Sequence, residues 1–294
     1  MLISDYNKKF FSAFVRRCEA CNLRPASIVQ YGKVLKRFLR VYKADECVAG
    51  DVRCYLARLD VAPATRRIHY MSLSVFFGFL FKNNMILNNP MIGVEKPKVP
   101  KKQMRFFSNE EIRQLLNCWD ESTFTGCRNK TMMLVFFATG LRRAELAQLT
   151  TDDLRWDLDC LLVHGKGGLE RSVPLTAELR RVLVNYLAKR QKALKRATKA
   201  LFINSNTGEQ LTPAGVWSVF KQSPVTGERV SCHTWRHTFA RHFLLYGNGD
   251  LVSLQAILGH ADIATTKKYL WLASEDVALV NNKANPLVTK KYLL

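Results

Sequence analysis

Four residues that could act on a phosphodiester fall within one short part of the sequence: His233, Arg236, His260 and Tyr269. An arginine can hold a phosphate group, a histidine can transfer protons and hydrogen-bond, and a tyrosine can supply a nucleophilic oxygen. His233 precedes Arg236 by three positions, so on a helix both side chains would reach one phosphate from the same face. The residue types therefore indicate phosphoryl transfer onto a tyrosine.

The charge of the chain indicates which phosphodiester this would be. The 294 residues include 45 Lys and Arg but only 24 Asp and Glu, a net charge of +21. So large an excess predicts a polyanionic partner, most simply nucleic acid. A basic membrane-surface protein would have a similar charge, but no amphipathic anchor or lipidation signal is present. No apolar run is long enough to span a membrane and no signal peptide is recognisable, so we predict a cytoplasmic protein without membrane contact.

The sequence predicts no metal and no cofactor. Eight cysteines are scattered through apparent helices and strands, and Cys18-x-x-Cys21 lacks the second ligand pair of a zinc site. They are most simply thiols. A metal-dependent nuclease or transposase is the main rival enzyme, because Asp152, Asp153 and Asp157 lie close together in sequence with Asp159. Such an enzyme needs carboxylates that converge on Mg²⁺, and these have no distant acidic partner in a recognisable context.

The first part of the chain, residues 1–88, reads as four helices with basic faces. It is either a compact DNA-binding module or a generic helical bundle. A proline-containing basic linker, residues 89–106, follows and should stay extended. The linker either lies along a phosphate backbone or is simply solvated. The candidate DNA-contact residues of both parts are Lys33, Arg37, Arg66, Arg67, Lys96, Lys98, Lys101 and Lys102.

The remaining residues, 107–294, predict a second and larger domain. Ser108 and Glu111 have the spacing of a capping box at the start of a helix. Short strands are predicted between residues 154 and 175, with Lys166 projecting from a glycine-flanked hairpin tip. A helix from Leu179 onward has a strongly basic second half that includes Arg190, typical of a solvated or DNA-facing surface. An apolar helix over Phe243–Leu258 should set His260 and Tyr269 opposite the arginines. The fold class is mainly α with a small antiparallel β-sheet.

Five motifs in this order resemble those of the tyrosine recombinases, also called the lambda-integrase family, which include Xer-type enzymes. They are Thr139-Gly140-Leu141-Arg142-x-x-Glu145-Leu146, Gly165-Lys166-Gly167 followed by Arg171-x-Val173-Pro174-Leu175, His233-x-x-Arg236-His237-Thr238-Phe239-Ala240, Leu258-Gly259-His260, and Thr266-x-x-Tyr269. The resemblance covers the chain from about Phe106 onward. The helical first part is similar in layout to the core-binding domain of the family.

The resemblance implies a SAM-like helical core-binding domain and a catalytic domain that together form a C-shaped clamp around DNA. It implies six catalytic residues, with Glu145 in support: Arg142, Lys166, His233, Arg236, His260 and the nucleophile Tyr269. Lys166 would be the general acid, and the intermediate a 3′-phosphotyrosine formed without ATP or metal. The implied partner is double-stranded DNA with inverted-repeat core sites. The implied assembly is a tetramer of this chain, or of this chain with a paralogue, in which residues 271–294 reach a neighbouring subunit.

Some alternatives stay open at this stage. Tyr292 is a second candidate nucleophile, and Arg142 with Glu145 could form an ordinary surface ion pair. His237 is interpreted as structural or supporting, and His164 and His242 as having no chemical role. A type IB topoisomerase-like enzyme and a non-catalytic DNA-binding protein remain alternative functions. Within the family, the role is either integration or transposition of a mobile element or Xer-type dimer resolution.

Overall fold

A computed structural model describes residues 5–100, 104–165, 168–225, 231–247, 249–260 and 262–269. The chain divides into two compact units, with the boundary between Lys102 and Gln103. The architecture is mainly helical with one small antiparallel sheet, as the sequence predicted. In the described part of the chain, no helix is long and apolar enough to cross a membrane.

Among its described residues, the first unit contains four helices: α1 (Asp5–Ala20), α2 (Pro25–Phe38), α3 (Ala49–Ala57) and α4 (Pro63–Lys82). A proline occupies the first turn of α2 and of α4, where its missing N–H leaves no hydrogen bond unmade. Aromatic rings fill the core between the helices, and Phe14 meets Phe76 edge to face at 5.4 Å between ring centroids. The four helices predicted for this part of the chain are therefore present.

The second unit contains eight helices and three strands among its described residues. The helices are α5 (Asn109–Asn117), α6 (Phe124–Thr139), α7 (Arg143–Gln148), α8 (Ala177–Ala193), α9 (Pro213–Lys221), α10 (Cys232–Leu245), α11 (Leu251–Leu258) and α12 (Ile263–Lys267). The strands are β1 (Leu154–Arg155), β2 (Cys160–His164) and β3 (Glu170–Pro174), antiparallel in the order β1-β2-β3. Leu161 lies opposite Val173 in the register of β2 and β3, and both are buried in the main core.

The capping box at the start of α5 is confirmed. The Ser108 hydroxyl accepts a hydrogen bond from the Glu111 N–H at 3.1 Å, and the Glu111 carboxylate accepts one from the Ser108 N–H at 2.8 Å. Two donors that a helix start leaves unpaired are thereby satisfied.

The predicted continuous helix over Phe243–Leu258 is wrong. α10 ends at Leu245, and α11 begins only after Asp250, whose carboxylate accepts hydrogen bonds from the N–H groups of Val252 and Ser253. Apolar residues lie on both sides of the break, but Gly247 and Gly249 disfavour a helix there and Asp250 starts a new one. The rest of α10 and the separate helix α11 therefore lie between Arg236 and His260 in the chain, and the two helices need not share one axis.

The solvated face predicted for the second half of α8 is wrong for Arg190. Its side chain is buried and donates hydrogen bonds to the carbonyl oxygens of Thr198 and Ala200, at 2.8 and 2.6 Å for Nη2. Its guanidinium therefore supports the chain segment after α8 instead of adding to an exposed charged surface.

Candidate active site

Arg236 lies at the centre of the candidate site, on α10, and its side chain is buried. Nη1 donates to the carbonyl oxygen of Gly140 at 2.8 Å, and Nη2 donates to that of Leu258 at 2.7 Å. Nη2 also lies 2.8 Å from Nε2 of His260. Burial, with the nearby positive charge of Arg142, lowers the pKa of Arg236 to about 10, so the guanidinium remains charged at neutral pH.

Two glycines with left-handed backbone end the helices that face Arg236. Gly140, at φ 61°, is the C-cap of α6, and Gly259, at φ 63°, is the C-cap of α11. A Cβ at Gly140 would lie 2.5 Å from the ring of Phe239 and 2.8 Å from the Leu258 side chain, so only glycine fits without displacement. The carbonyls bonded to Arg236 come from these two helix ends, where backbone oxygens lack helical partners and the dipole favours a cation.

Arg142 lies immediately before α7, as its N-cap. Its backbone N–H and its guanidinium both bind Glu145, at 2.8 Å to Oε2 and 2.7 Å to Oε1. A further Nη2 contact reaches the Gly259 carbonyl at 3.4 Å. Arg142 is about one third exposed, so part of its guanidinium is open to a ligand.

Glu145 is buried between two arginines. Arg171 of β3 donates Nη1 to Oε1 at 3.1 Å and Nη2 to Oε2 at 2.8 Å. Burial alone would raise the pKa of Glu145, but the hydrogen bonds from Arg171 and Arg142 outweigh it and lower the pKa to about 2. The Arg142–Glu145 contact is therefore part of a buried carboxylate site and not a surface ion pair.

His260 follows Gly259 and is hydrogen-bonded through both ring nitrogens. Nε2 faces the Arg236 donor, and Nδ1 lies 2.7 Å from the Thr266 hydroxyl. Burial, with the charges of Arg236 and Arg142, lowers the pKa of His260 to about 4. The ring is therefore neutral at neutral pH, with Nε2 as acceptor from Arg236 and the proton on Nδ1.

Tyr269 lies just after α12, only 3% exposed, in a small apolar cluster with Phe239, Leu254 and Leu258. Its hydroxyl is 2.9 Å from Nδ1 of His237. Burial raises the pKa of Tyr269, while the charges of Arg236 and Arg142 act in the opposite direction. The phenol is therefore protonated at neutral pH.

His237 is the residue of this site that the sequence analysis did not select. Burial, with His233 and Arg236 nearby, lowers the pKa of His237 to about 4, so its ring is neutral beside the phenol. Its position four residues after His233 on α10 places both rings on one helix face, and that spacing is a signal the sequence contained. The residue surface of His233 is exposed, but the protein around its ring desolvates it and so lowers its pKa, and the charges of Arg236 and Arg142 lower it further.

The structure thus brings together Arg142, Glu145, Arg236, His260 and Tyr269. Lys166 lies outside the described residues, although the hairpin that contains it is closed by a hydrogen bond from the Gly165 N–H to the Leu169 carbonyl at 2.7 Å. Tyr292, Lys101, Lys102 and the predicted exchange segment 271–294 also lie outside the described residues.

The other candidate DNA-contact residues all belong to the first unit. Lys33, Arg37, Lys96 and Lys98 are exposed, whereas Arg66 and Arg67 are half-buried. Arg66 donates from Nη2 to the Leu59 carbonyl at 2.8 Å.

Within the described ranges, no group of three or more His, Cys, Asp or Glu side chains could hold a metal ion. The acidic residues considered for Mg²⁺ have other partners instead. Asp153 binds Thr150 and His164, Asp152 binds Lys199, and Asp159 pairs with Arg180. This arrangement does not fit a nuclease site of converging carboxylates.

Comparisons with known proteins show the family to which the chain belongs. The phage integrase family profile matches residues 105–275. The tyrosine recombinase XerC of Bacillus pumilus is 30% identical over 287 residues, covering 92% of this chain and 93% of the relative. The fold is similar to that of the Tn1549 transposon integrase in complex with transposon right end DNA, with a TM-score of 0.72 at 17% identity over 92% of this chain and 94% of that chain. It is also similar to the XerH site-specific recombinase bound to a palindromic difH substrate, with a TM-score of 0.71 at 22% identity over 92% of this chain and 84% of that chain. The chain therefore belongs to the phage integrase family and is a tyrosine-type site-specific recombinase.

Proposed function

We propose that this recombinase cuts and rejoins DNA through a covalent bond between Tyr269 and a DNA phosphate. Exchanging strands without ATP requires that the energy of the broken bond be stored, and a tyrosyl phosphate ester stores it. The observation that supports the proposal is the arrangement of Arg142, Arg236 and His260 around one site with Tyr269 beside it. No step in this chemistry needs a metal or a cofactor.

In the proposed step, the Tyr269 hydroxyl gives its proton to Nδ1 of His237, 2.9 Å away, and its oxygen bonds to phosphorus as the bond to the 5′-oxygen breaks. The products are a 3′-phosphotyrosine and a free 5′-hydroxyl, whose proton comes from Lys166. Arg142, with its partly exposed guanidinium, and Arg236 neutralise the charge that develops on the phosphate oxygens. His233 hydrogen-bonds the same phosphate, and Glu145 orients Arg142. When a phosphate oxygen displaces Arg236 from Nε2 of His260, the ring donates to that oxygen from Nε2 while Nδ1 accepts from the Thr266 hydroxyl.

The proposed substrate is double-stranded DNA with inverted-repeat core sites. The net charge of +21 and the exposed basic residues of the first unit support binding to a phosphate backbone. Lys33, Arg37, Lys96 and Lys98 are the first unit's proposed contacts, together with Arg66, Arg67, Lys101 and Lys102. The similarity to a recombinase bound to palindromic DNA also supports such sites.

The proposed assembly is a tetramer on two DNA sites, either of this chain alone or with a paralogue. Residues 271–294 would reach the neighbouring subunit, and deletion of residues 281–294 should abolish cooperative binding and synapsis. The similarity to a XerC protein supports dimer resolution, whereas that to a transposon integrase supports a mobile element. Mapping the DNA that the protein binds in cells would distinguish these two roles.

Covalent trapping tests the chemistry. The protein would be incubated with fragmented genomic DNA of its source organism, in EDTA and without ATP, and the covalently bound fragments would be sequenced. A nicked duplex built on the recovered site then gives a single-turnover cleavage rate. Tyr269→Phe should form no covalent complex, and Tyr292→Phe should form a normal one.

Tyr186→Phe is a matched control. Tyr186 is also buried, and its hydroxyl makes one hydrogen bond, to the Leu201 carbonyl at 2.9 Å, away from the site. It should cleave at the rate of the unmodified protein. Covalent complexes that persist in Tyr269→Phe, or that require Mg²⁺, would contradict the proposal. Relaxation of supercoiled DNA without joining of two sites would instead favour a topoisomerase-like activity.

A further inference from the structure

Arg171 of β3 makes more contacts in the site than its position in a surface hairpin would suggest. Its side chain is only 11% exposed. Nη1 and Nη2 donate to the two oxygens of Glu145, and Nε donates to the Ile257 carbonyl at 2.7 Å. One guanidinium therefore joins a strand, the start of α7 and the end of α11.

Each partner of Arg171 leads directly to a proposed catalytic side chain. Glu145 binds both the backbone and the guanidinium of Arg142. The Ile257 carbonyl lies one residue before Leu258, whose own carbonyl accepts from Arg236, and three residues before His260. Arg171 itself follows Lys166 by five positions, on the strand that leaves the hairpin.

Gly259 packs against the same guanidinium. A Cβ at this position would lie 2.8 Å from Cδ of Arg171 and 3.0 Å from its Nη1. The turn that presents His260 and the side chain of Arg171 are therefore fitted to each other, and neither can move far without the other.

We propose that Arg171 is a positioning residue that sets Arg142 and His260 relative to each other. It would touch neither the DNA nor the reacting atoms. By holding both carboxylate oxygens of Glu145, it fixes the carboxylate that orients Arg142. By holding the end of α11, it fixes the turn that presents His260. The inference rests on the catalytic roles proposed above for those two residues.

Two guanidinium nitrogens side by side are needed for this role. A lysine carries the same charge but only one nitrogen, so it cannot hold both oxygens of Glu145 and the Ile257 carbonyl together. We therefore expect Arg171→Lys and Arg171→Gln to bind the nicked duplex as tightly as the unmodified protein. Because a displacement of about 1 Å in an active site can cost about 100-fold in rate, both should cleave about 100-fold more slowly.

A double-mutant cycle tests whether Arg171 acts through Glu145. If it does, Arg171→Gln should slow cleavage much less in a Glu145→Gln background than in the unmodified protein. Additive effects of the two substitutions would overturn the proposed route through the carboxylate.

The pH profile gives a second readout. The charged groups facing Glu145 are Arg142 before α7, Arg171 from β3 and Arg236 from α10, with neutral His260 beside them. Removing Arg171 takes away hydrogen bonds that lower the pKa of Glu145, so the carboxyl should take up a proton at a higher pH. Cleavage by Arg171→Gln should therefore fall more steeply on acidification than cleavage by the unmodified protein. A constant ratio of the two rates across pH would count against the proposal.

Arg190→Gln is the matched control for stability. Arg190 is also buried in the second unit and also donates to backbone carbonyls, but none of its partners belongs to the site. It should lose stability, as Arg171→Gln does, yet cleave normally at every pH. If the unmodified protein forms no Tyr269-dependent complex, the proposed function fails. If that complex forms and both Arg171 variants cleave at the normal rate, only the role of Arg171 fails.

Discussion

Replacing Arg236 by lysine should separate its contribution to the fold from its proposed contribution to catalysis. The guanidinium spans the Gly140 carbonyl on one side and the Leu258 carbonyl and His260 on the other. A lysine ammonium keeps the charge but is a single point, so at least one of these buried acceptors loses its partner. The substitution should therefore lower both the free energy of unfolding and the cleavage rate.

A buried acceptor left without a hydrogen bond costs about 1–3 kcal/mol, and the free energy of unfolding of Arg236→Lys should fall by that amount. Losing one donor to a charged transition state costs about 2.7–4 kcal/mol, or about 100- to 1,000-fold in rate. The cleavage rate should therefore fall by at least 100-fold even where the variant is fully folded. Urea unfolding measures the first quantity, and single-turnover cleavage of the nicked duplex at saturating protein measures the second.

Arg190→Lys is the control for this experiment. Arg190 is equally buried and equally dependent on a fork between carbonyls, so it should show the same loss of stability without a loss of rate. The reasoning is refuted if Arg236→Lys cleaves at the rate of the unmodified protein, or if Arg190→Lys slows cleavage to the same degree.

Three further predictions concern neighbours of Arg236. The pKa of Glu145 is lowered from 4.5 to about 2, so its ionised form adds up to about 3 kcal/mol of stability above pH 4.5. This stability is lost as the pH falls towards 2. In urea unfolding, Glu145→Gln should therefore be less stable than the unmodified protein at neutral pH, and the difference should shrink on acidification. The pKa of His237 is lowered from 6.5 to about 4, so the protein should lose stability as pH falls from 6.5 to 4, and His237→Asn should flatten that part of the curve; an unchanged slope would contradict a buried neutral ring beside Tyr269. Gly140→Ala should lower the free energy of unfolding by at least about 1–2 kcal/mol, because a left-handed alanine is strained and its Cβ meets Phe239. Calorimetry measures this loss, and an unchanged free energy of unfolding would contradict the prediction.

The sequence was informative where function depends on residue type in a local motif. The motifs were enough to select Arg142, Arg236, His260 and Tyr269, and the structure places these four together. Helix starts with local chemistry, such as Ser108 with Glu111, could also be predicted, because the atoms involved lie within one turn.

Contacts between elements distant in sequence could not be predicted in this way. The partnership of Arg171 with Glu145 depends on β3 packing beside α7, and no spacing in the sequence encodes that distance. Arg190 was misjudged because a basic residue in a basic helix normally faces solvent, whereas here it satisfies carbonyls of the following segment. The break between α10 and α11 was missed because the apolar residues on its two sides were interpreted as one helix, although Gly247-Asn248-Gly249-Asp250 interrupts them.

The two carbonyls bound by Arg236 affect what the presence of this arginine indicates about related copies of the gene. Under the proposed chemistry, a copy of the gene without Tyr269 would no longer need Arg236 for catalysis, yet the carbonyls at the ends of α6 and α11 would still need a donor between them. Selection on folding alone would preserve the arginine in such a decayed copy. Among the described residues, the Tyr269 hydroxyl has one hydrogen-bond partner, His237, so the hydroxyl would be lost first. An arginine retained at this position therefore indicates that the fold is maintained, whereas a retained tyrosine is the better indication that recombination activity is maintained.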